Sequence, residues 1–130
     1  MDRPVDDAGY ITSPFGMRID PFTSKMSRHE GLDFADTPGS PISAAESGVV
    51  IAAKATPDYG NMVEIDHGNG LTTRYGHCQA LLVKAGDVVK RDQKTALVGS
   101  TGRSTGPHCH FEVRKDGVPR NPVPYLSGQL

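Results

Sequence analysis

Three short stretches carry side chains able to hold a metal ion or move a proton: His108-Cys109-His110, His29-Glu30-Gly31-Leu32-Asp33 and Tyr75-Gly76-His77. In an extended strand, residues i and i+2 lie about 7 Å apart on one face. His108, His110, Glu112 and Arg114 then share a polar face, and Cys109, Phe111 and Val113 share an apolar one. Two imidazoles on one strand face suit a metal such as zinc, for which neutral imidazole is a common ligand. They equally suit an ordinary solvated strand, and the residues alone leave both readings open. The segment from His29 opens like HExxH but ends in Asp and centres on Gly31, a residue that costs a helix about 1 kcal/mol relative to Ala. A helical site with Glu30 as base is therefore disfavoured. Read as extended chain, the segment places His29, Gly31 and Asp33 on one face and anchors Leu32 and Phe34 in the core. A straight strand would hold His29 and Asp33 about 13 Å apart. Joint ligation thus demands a bend, which Gly31 permits, and an edge strand with a surface His and Asp is the competing reading. His77, at a strand end, says little alone, and His67, at the mouth of a turn, reads as solvated.

The elements that must position these side chains are strands. The chain has 130 residues with 15 Gly and 10 Pro, and 36% of it is apolar, enough for one sizeable core. Turn dipeptides such as Ser13-Pro14, Asp20-Pro21, Pro57-Asp58, Asp116-Gly117 and Asn121-Pro122 separate short β-branched or alternating runs. Those runs predict strands over 48–54, 62–66, 71–77, 81–83, 95–98 and 108–114, with a hairpin around His67-Gly68-Asn69-Gly70. No window of helical length keeps an apolar stripe free of Gly and Pro. The expected fold is all-β: a mainly antiparallel sandwich or barrel-like core, with long loops framing a groove and little or no helix. Residues 1–9 read as a flexible lead-in and 10–130 as the domain. The loop over 99–107 lacks the Lys-Ser/Thr of a phosphate-binding loop and runs into a strand, so it reads as a shaped rim beside His108. A net charge of −1 without long like-charge runs disfavours nucleic acid and lipid surfaces as partners. No apolar stretch approaches the roughly 20 residues that span a bilayer.

In this order the pieces resemble the lysostaphin-type (LytM-type) zinc metalloendopeptidases, which cut peptide cross-links in bacterial peptidoglycan. The resemblance runs over about residues 11–126. It is carried by Ser13-Pro14-Phe15-Gly16-Met17-Arg18, the HxxxD of His29 and Asp33, Gly60-Asn61, Ile65-Asp66-His67-Gly68-Asn69-Gly70, Tyr75-Gly76-His77 and Ser104-Thr105-Gly106-Pro107-His108-Cys109-His110-Phe111-Glu112-Val113. It implies that His29, Asp33 and His110 ligate one zinc, a division of the HxH pair that spacing cannot supply. It places His77 and His108 as catalytic groups beside the open coordination position, and Tyr59, Asn61 and Asn121 along the substrate groove. The implied substrates are peptidoglycan peptide stems and cross-links, D-Ala to diaminopimelate bonds ahead of glycine bridges.

The implied location is periplasmic, cell-envelope or secreted, this chain being read as the excised catalytic domain of an exported protein with an N-terminal regulatory region outside it. A non-catalytic regulator or activator of other cell-wall hydrolases is the alternative, and the presence of all five site residues favours the enzyme. Residues 83–90 also resemble a biotin or lipoyl carrier segment, but no modifiable Lys stands at a hairpin tip. Cys78 and Cys109 replace residues that are usually apolar in the family. They read either as small buried hydrophobes or as a disulfide bracing the site. Asp92 stands where the family commonly has Gly, at a turn.

Overall fold

Short runs punctuated by Gly and Pro can satisfy their backbone groups only by pairing with one another, and here they pair antiparallel throughout. The computed structural model describes residues 1–126. Twelve strands follow in chain order: β1 Tyr10–Ser13, β2 Gly16–Ile19, β3 Met26–His29, β4 Leu32–Ala35, β5 Pro41–Ser43, β6 Gly48–Thr56, β7 Gly60–Asp66, β8 Leu71–Leu81, β9 Val88–Val89, β10 Lys94–Val98, β11 His108–Lys115 and β12 Val118–Arg120. Among the described residues the helical content is one 3-10 turn, Val123–Tyr125. The all-β expectation holds. The large sheet runs β1-β4-β11-β8-β7-β6-β9, with β10 bridging β5 and β8 and β12 on β11, while β2 and β3 form a separate hairpin.

The expected strands fall on β6, β7, β8, β10 and β11, with residue 81 ending β8 and residues 82–83 lying outside any strand. Strands β1 to β5, β9 and β12 have two to four residues each, too few for an alternation to show in the sequence. Residues 1–9, expected as a flexible lead-in, pack against the domain in the structure. Val5 is buried, Asp2 pairs with Arg91 at 2.6 Å, and the Arg3 guanidinium lies 5.5 Å from the centre of the Phe34 ring. This segment forms no strand, so no periodicity reveals it. The last four residues of the expected 10–130 domain lie outside the described residues.

Strand β11 is the spine that positions the site. Cys109, Phe111 and Val113 are fully buried on one face, where Phe111 stacks obliquely with Tyr75 (ring centres 5.5 Å apart) and edge-on with Phe34 (6.4 Å). Burial of each such aromatic contributes about 1.5–3 kcal/mol, which holds the opposite face rigid. Cys78 and Cys109 are buried free thiols that pack as small hydrophobes, so the disulfide weighed for them is not formed. Burial pushes the Cys78 thiol up to about 12 and Cys109 well above its ordinary value, which leaves both protonated and unreactive.

Candidate active site

Three local devices bring the site together. The first is the break between β3 and β4 at Glu30 and Gly31. A Cβ on Gly31 would stand 2.3 Å from the Phe111 carbonyl oxygen, so only glycine lets the chain press against β11 while it turns. His29 ends the small hairpin, whereas Asp33 belongs to the large sheet, in register with His110. The straight-strand separation disappears: His29 Nε2 is 3.2 Å from Asp33 Oδ2, and His110 Nδ1 is 2.9 Å from Asp33 Oδ1.

The second device is a partner switch in β8. This strand pairs with β11 up to Gly76 and with β10 from Cys78 onward. At the junction His77 adopts φ +63°, a left-handed conformation unfavourable for a residue with a Cβ and characteristic of functional sites. His77 therefore sits inside a long strand, at an irregularity, where the sequence placed it at a strand end.

The third device is the loop over 99–107. His77 Nδ1 donates to the Thr101 carbonyl at 2.7 Å, and His108 Nδ1 donates to the Gly106 carbonyl at 2.9 Å. A carbonyl can only accept, so each Nδ1 carries hydrogen and each neutral ring presents a bare Nε2. The two rings stand 4.7 Å apart between centres, and His108 Nε2 is 3.5 Å from Asp33 Oδ1. The expected rim beside His108 thus also fixes the tautomers of both histidines.

One ligand atom each from His29, Asp33 and His110 lie within 4.8 Å of one another, all three residues buried. His29 Nδ1 donates to the Pro14 carbonyl at 2.7 Å, which leaves Nε2 without a proton. That nitrogen is buried and has no hydrogen-bond partner, although the Asp33 carboxylate lies beside it. A lone pair facing a carboxylate in a buried position is repulsive until a cation lies between them. Two imidazole nitrogens and one carboxylate oxygen are moreover a donor set that suits zinc and leaves a fourth position open. The residues present fit the metal.

Burial alone would raise the Asp33 pKa, but the hydrogen bond from the His110 imidazole holds it well below the usual carboxylate range. For His110 burial opposes the charge, yet the Asp33 and Glu112 carboxylates keep its pKa up at about 9. Burial takes His77 down to about 4, so this ring is neutral at neutral pH. Both histidines titrate near 6.5 when unfolded. The depressed His77 leaves the unfolded chain binding the extra proton between about pH 6.5 and 4, so stability falls as pH drops through that window. The raised His110 contributes stability that is full below about pH 6.5 and lost as pH rises through about 9. The metal-free protein is accordingly expected to be most heat-stable near pH 6.5, as read from its melting temperature in chelator across this range. A melting temperature that climbs steadily to pH 9 would contradict these assignments.

The five residues line one open cleft of about 300 Å³, bordered also by Arg18, Asp20, Phe22, Tyr59, Arg103 and Ser104. Asp20 accepts from both terminal nitrogens of Arg103 at 3.1 and 3.2 Å, which ties the β2–β3 hairpin to the 99–107 loop across the cleft. Arg18 reaches Ser13 Oγ at 2.7 Å and Asp33 Oδ2 at 3.4 Å. Of the three residues expected along the groove, only Tyr59 lines it. Asn61 donates to the Cys78 carbonyl at 3.1 Å, bracing β7 on β8, and Asn121 accepts from the Val123 amide at 3.2 Å beside the 3-10 turn. Sequence reasoning assigned no role to Glu112 or to Asp20 and Arg103. Alternation on β11 already set Glu112 beside His110, whereas nothing in the sequence links Asp20 to Arg103.

The profile of Peptidase family M23 matches residues 27–122, a span that holds all five converging residues. The chain belongs to this family. The M23 domain is 44% identical over 119 residues to the peptidoglycan DD-endopeptidase ShyA of Vibrio cholerae, covering 91% of this chain and 28% of that protein. A crystal structure of a zinc-containing peptidase from Vibrio cholerae superposes with a TM-score of 0.85 at 45% identity, over 92% of this chain and 37% of that one. The catalytic domain of lysostaphin from Staphylococcus simulans superposes with a TM-score of 0.82 at 29% identity, over 90% and 91%. The M23 domain spans about a quarter to a third of the length of the curated relatives it matches. Family M23 is one of metallopeptidases, in keeping with the His/Asp/His group.

Proposed function

We propose that this M23 domain is a zinc-dependent endopeptidase that hydrolyses peptide cross-links of peptidoglycan, with D-Ala to diaminopimelate bonds as its substrates. The observation that carries the reading is the unpartnered Nε2 of His29 facing Asp33 and His110, beside two imidazoles whose bare Nε2 atoms open on the same cleft. His29, Asp33 and His110 would hold the metal. Bound zinc supplies Lewis acidity, polarising a carbonyl and bringing the pKa of a bound water from 15.7 to about 7.

The chain's own residues do the rest. His77 or His108 accepts the proton of the attacking water at its bare Nε2, as imidazolium hydrogen-bonds the developing oxyanion, and then passes that proton to the leaving amine. His77 suits this cycle because burial keeps it neutral down to about pH 4. No glutamate base is needed, and Glu30 lies outside the proton path, exposed and paired to Arg114 at 2.7 Å.

The bond assignment is supported by ShyA, named a DD-endopeptidase, and the same substrate implies work outside the cytoplasm, in the periplasm or cell envelope. All five residues converge, which favours catalysis over a purely regulatory role. Digestion of purified, cross-linked sacculi tests the reading through the termini it creates. The expected products carry a new D-Ala carboxyl and a freed diaminopimelate amine. New glycine termini from glycine-bridged wall alone would move the substrate to that class, and no cleavage of either wall would overturn the enzyme.

A further inference from the structure

We propose that Glu112 is a positioning residue for the metal: it accepts a hydrogen bond from His110 Nε2 and so turns Nδ1 of that ring toward Asp33 as the ligating atom. The inference rests on the reading of His29, Asp33 and His110 as metal ligands. Glu112 follows His110 on the polar face of β11, yet only 1% of it is exposed. A buried carboxylate must be satisfied by donors, and three converge on this one. His110 Nε2 at 2.8 Å and the Tyr59 hydroxyl at 2.7 Å reach Oε2, while Arg114 Nε reaches Oε1 at 2.7 Å. An ionised carboxylate cannot donate, so in the metal-free ring both nitrogens carry hydrogen, Nε2 toward Glu112 and Nδ1 toward Asp33 Oδ1 at 2.9 Å. A cation at Asp33 displaces the Nδ1 proton while Glu112 keeps the one on Nε2, which makes Nδ1 the ligating atom. Partners of this kind orient a ligand ring and raise its basicity.

The same carboxylate reaches the other two ligands through the chain. Arg114 also donates from Nη2 to Glu30 Oε2 at 2.7 Å, and Glu30 stands at the bend between His29 and Asp33. Arg74 donates to the Tyr59 hydroxyl at 3.2 Å, which ties β8 into the frame. Tyr59, expected as a groove residue, therefore acts through its hydroxyl as a brace for Glu112. Its ring in turn lies over Gly76, where a Cβ would come within 3.1 Å of it.

Glu112→Gln keeps the shape but offers one accepting and one donating end, so an N–H must face either Arg114 or the His110–Tyr59 side. The folded variant is expected to bind zinc about 10–100-fold more weakly in competition with a chromophoric chelator. The cobalt-substituted form should show an altered visible spectrum, and kcat should fall while KM stays within about twofold. Arg114→Ala, which frees Oε1 without touching His110, decides the matter should Glu112→Gln not fold, and is expected to weaken zinc binding several-fold. Wild-type zinc affinity and cobalt spectrum in the folded variant would overturn the positioning role. Absence of zinc binding by the unaltered domain would instead overturn the metal site itself.

Discussion

His110→Ala is expected to lose the bound metal and cross-link hydrolysis together. His110 is held between two carboxylates, Asp33 at 2.9 Å and Glu112 at 2.8 Å. Two donors then remain, too few for the closed side of a three-ligand zinc site. The substitution also leaves the Asp33 and Glu112 carboxylates without the imidazole between them, and an unpaired buried charge costs about 3–5 kcal/mol. Folding must therefore be checked beside function. Zinc content by elemental analysis should fall from about one per chain to near zero, with muropeptide release at background, in protein whose circular dichroism still shows the sheet. A folded His110→Ala variant that retains zinc and activity would remove this residue from the ligand set.

His108→Ala is expected to separate metal from turnover. His108 points its Nε2 toward the cleft from an Nδ1 anchored on Gly106, and none of the contacts among His29, Asp33 and His110 runs through it. Zinc content should stay near that of the unaltered domain. Removal of a positioned acid–base group is expected to lower kcat by about 100- to 10,000-fold with little change in KM. Equal loss of zinc and of activity would show that His108 ligates and would reassign the HxH pair.

Much of this was legible in the sequence. The alternation over β11 placed His108, His110, Glu112 and Arg114 opposite Cys109, Phe111 and Val113, and the structure keeps that division. The requirement that the chain bend between His29 and Asp33 is met at Gly31 by a crossing from the small hairpin to the large sheet. Periodicity could not show the partner switch in β8 that aims His77, because a left-handed φ on a histidine leaves no mark in composition. Neither could it show that Tyr59, 53 positions before Glu112, donates to the carboxylate that holds a ligand ring. Contacts of that range are set by how strands stack, not by local pattern. Asn61 and Asn121 were expected along the groove from resemblance alone, and here each satisfies a nearby backbone group.

In the proposed mechanism His29, Asp33 and His110 hold one zinc on which hydrolysis depends. The most direct test strips the domain with a chelator, removes the chelator, and titrates zinc back while muropeptide release from cross-linked sacculi is followed. Activity should vanish on stripping and return linearly, saturating at about one zinc per chain. Undiminished release by the stripped protein, or recovery that bears no relation to zinc bound, would contradict the account.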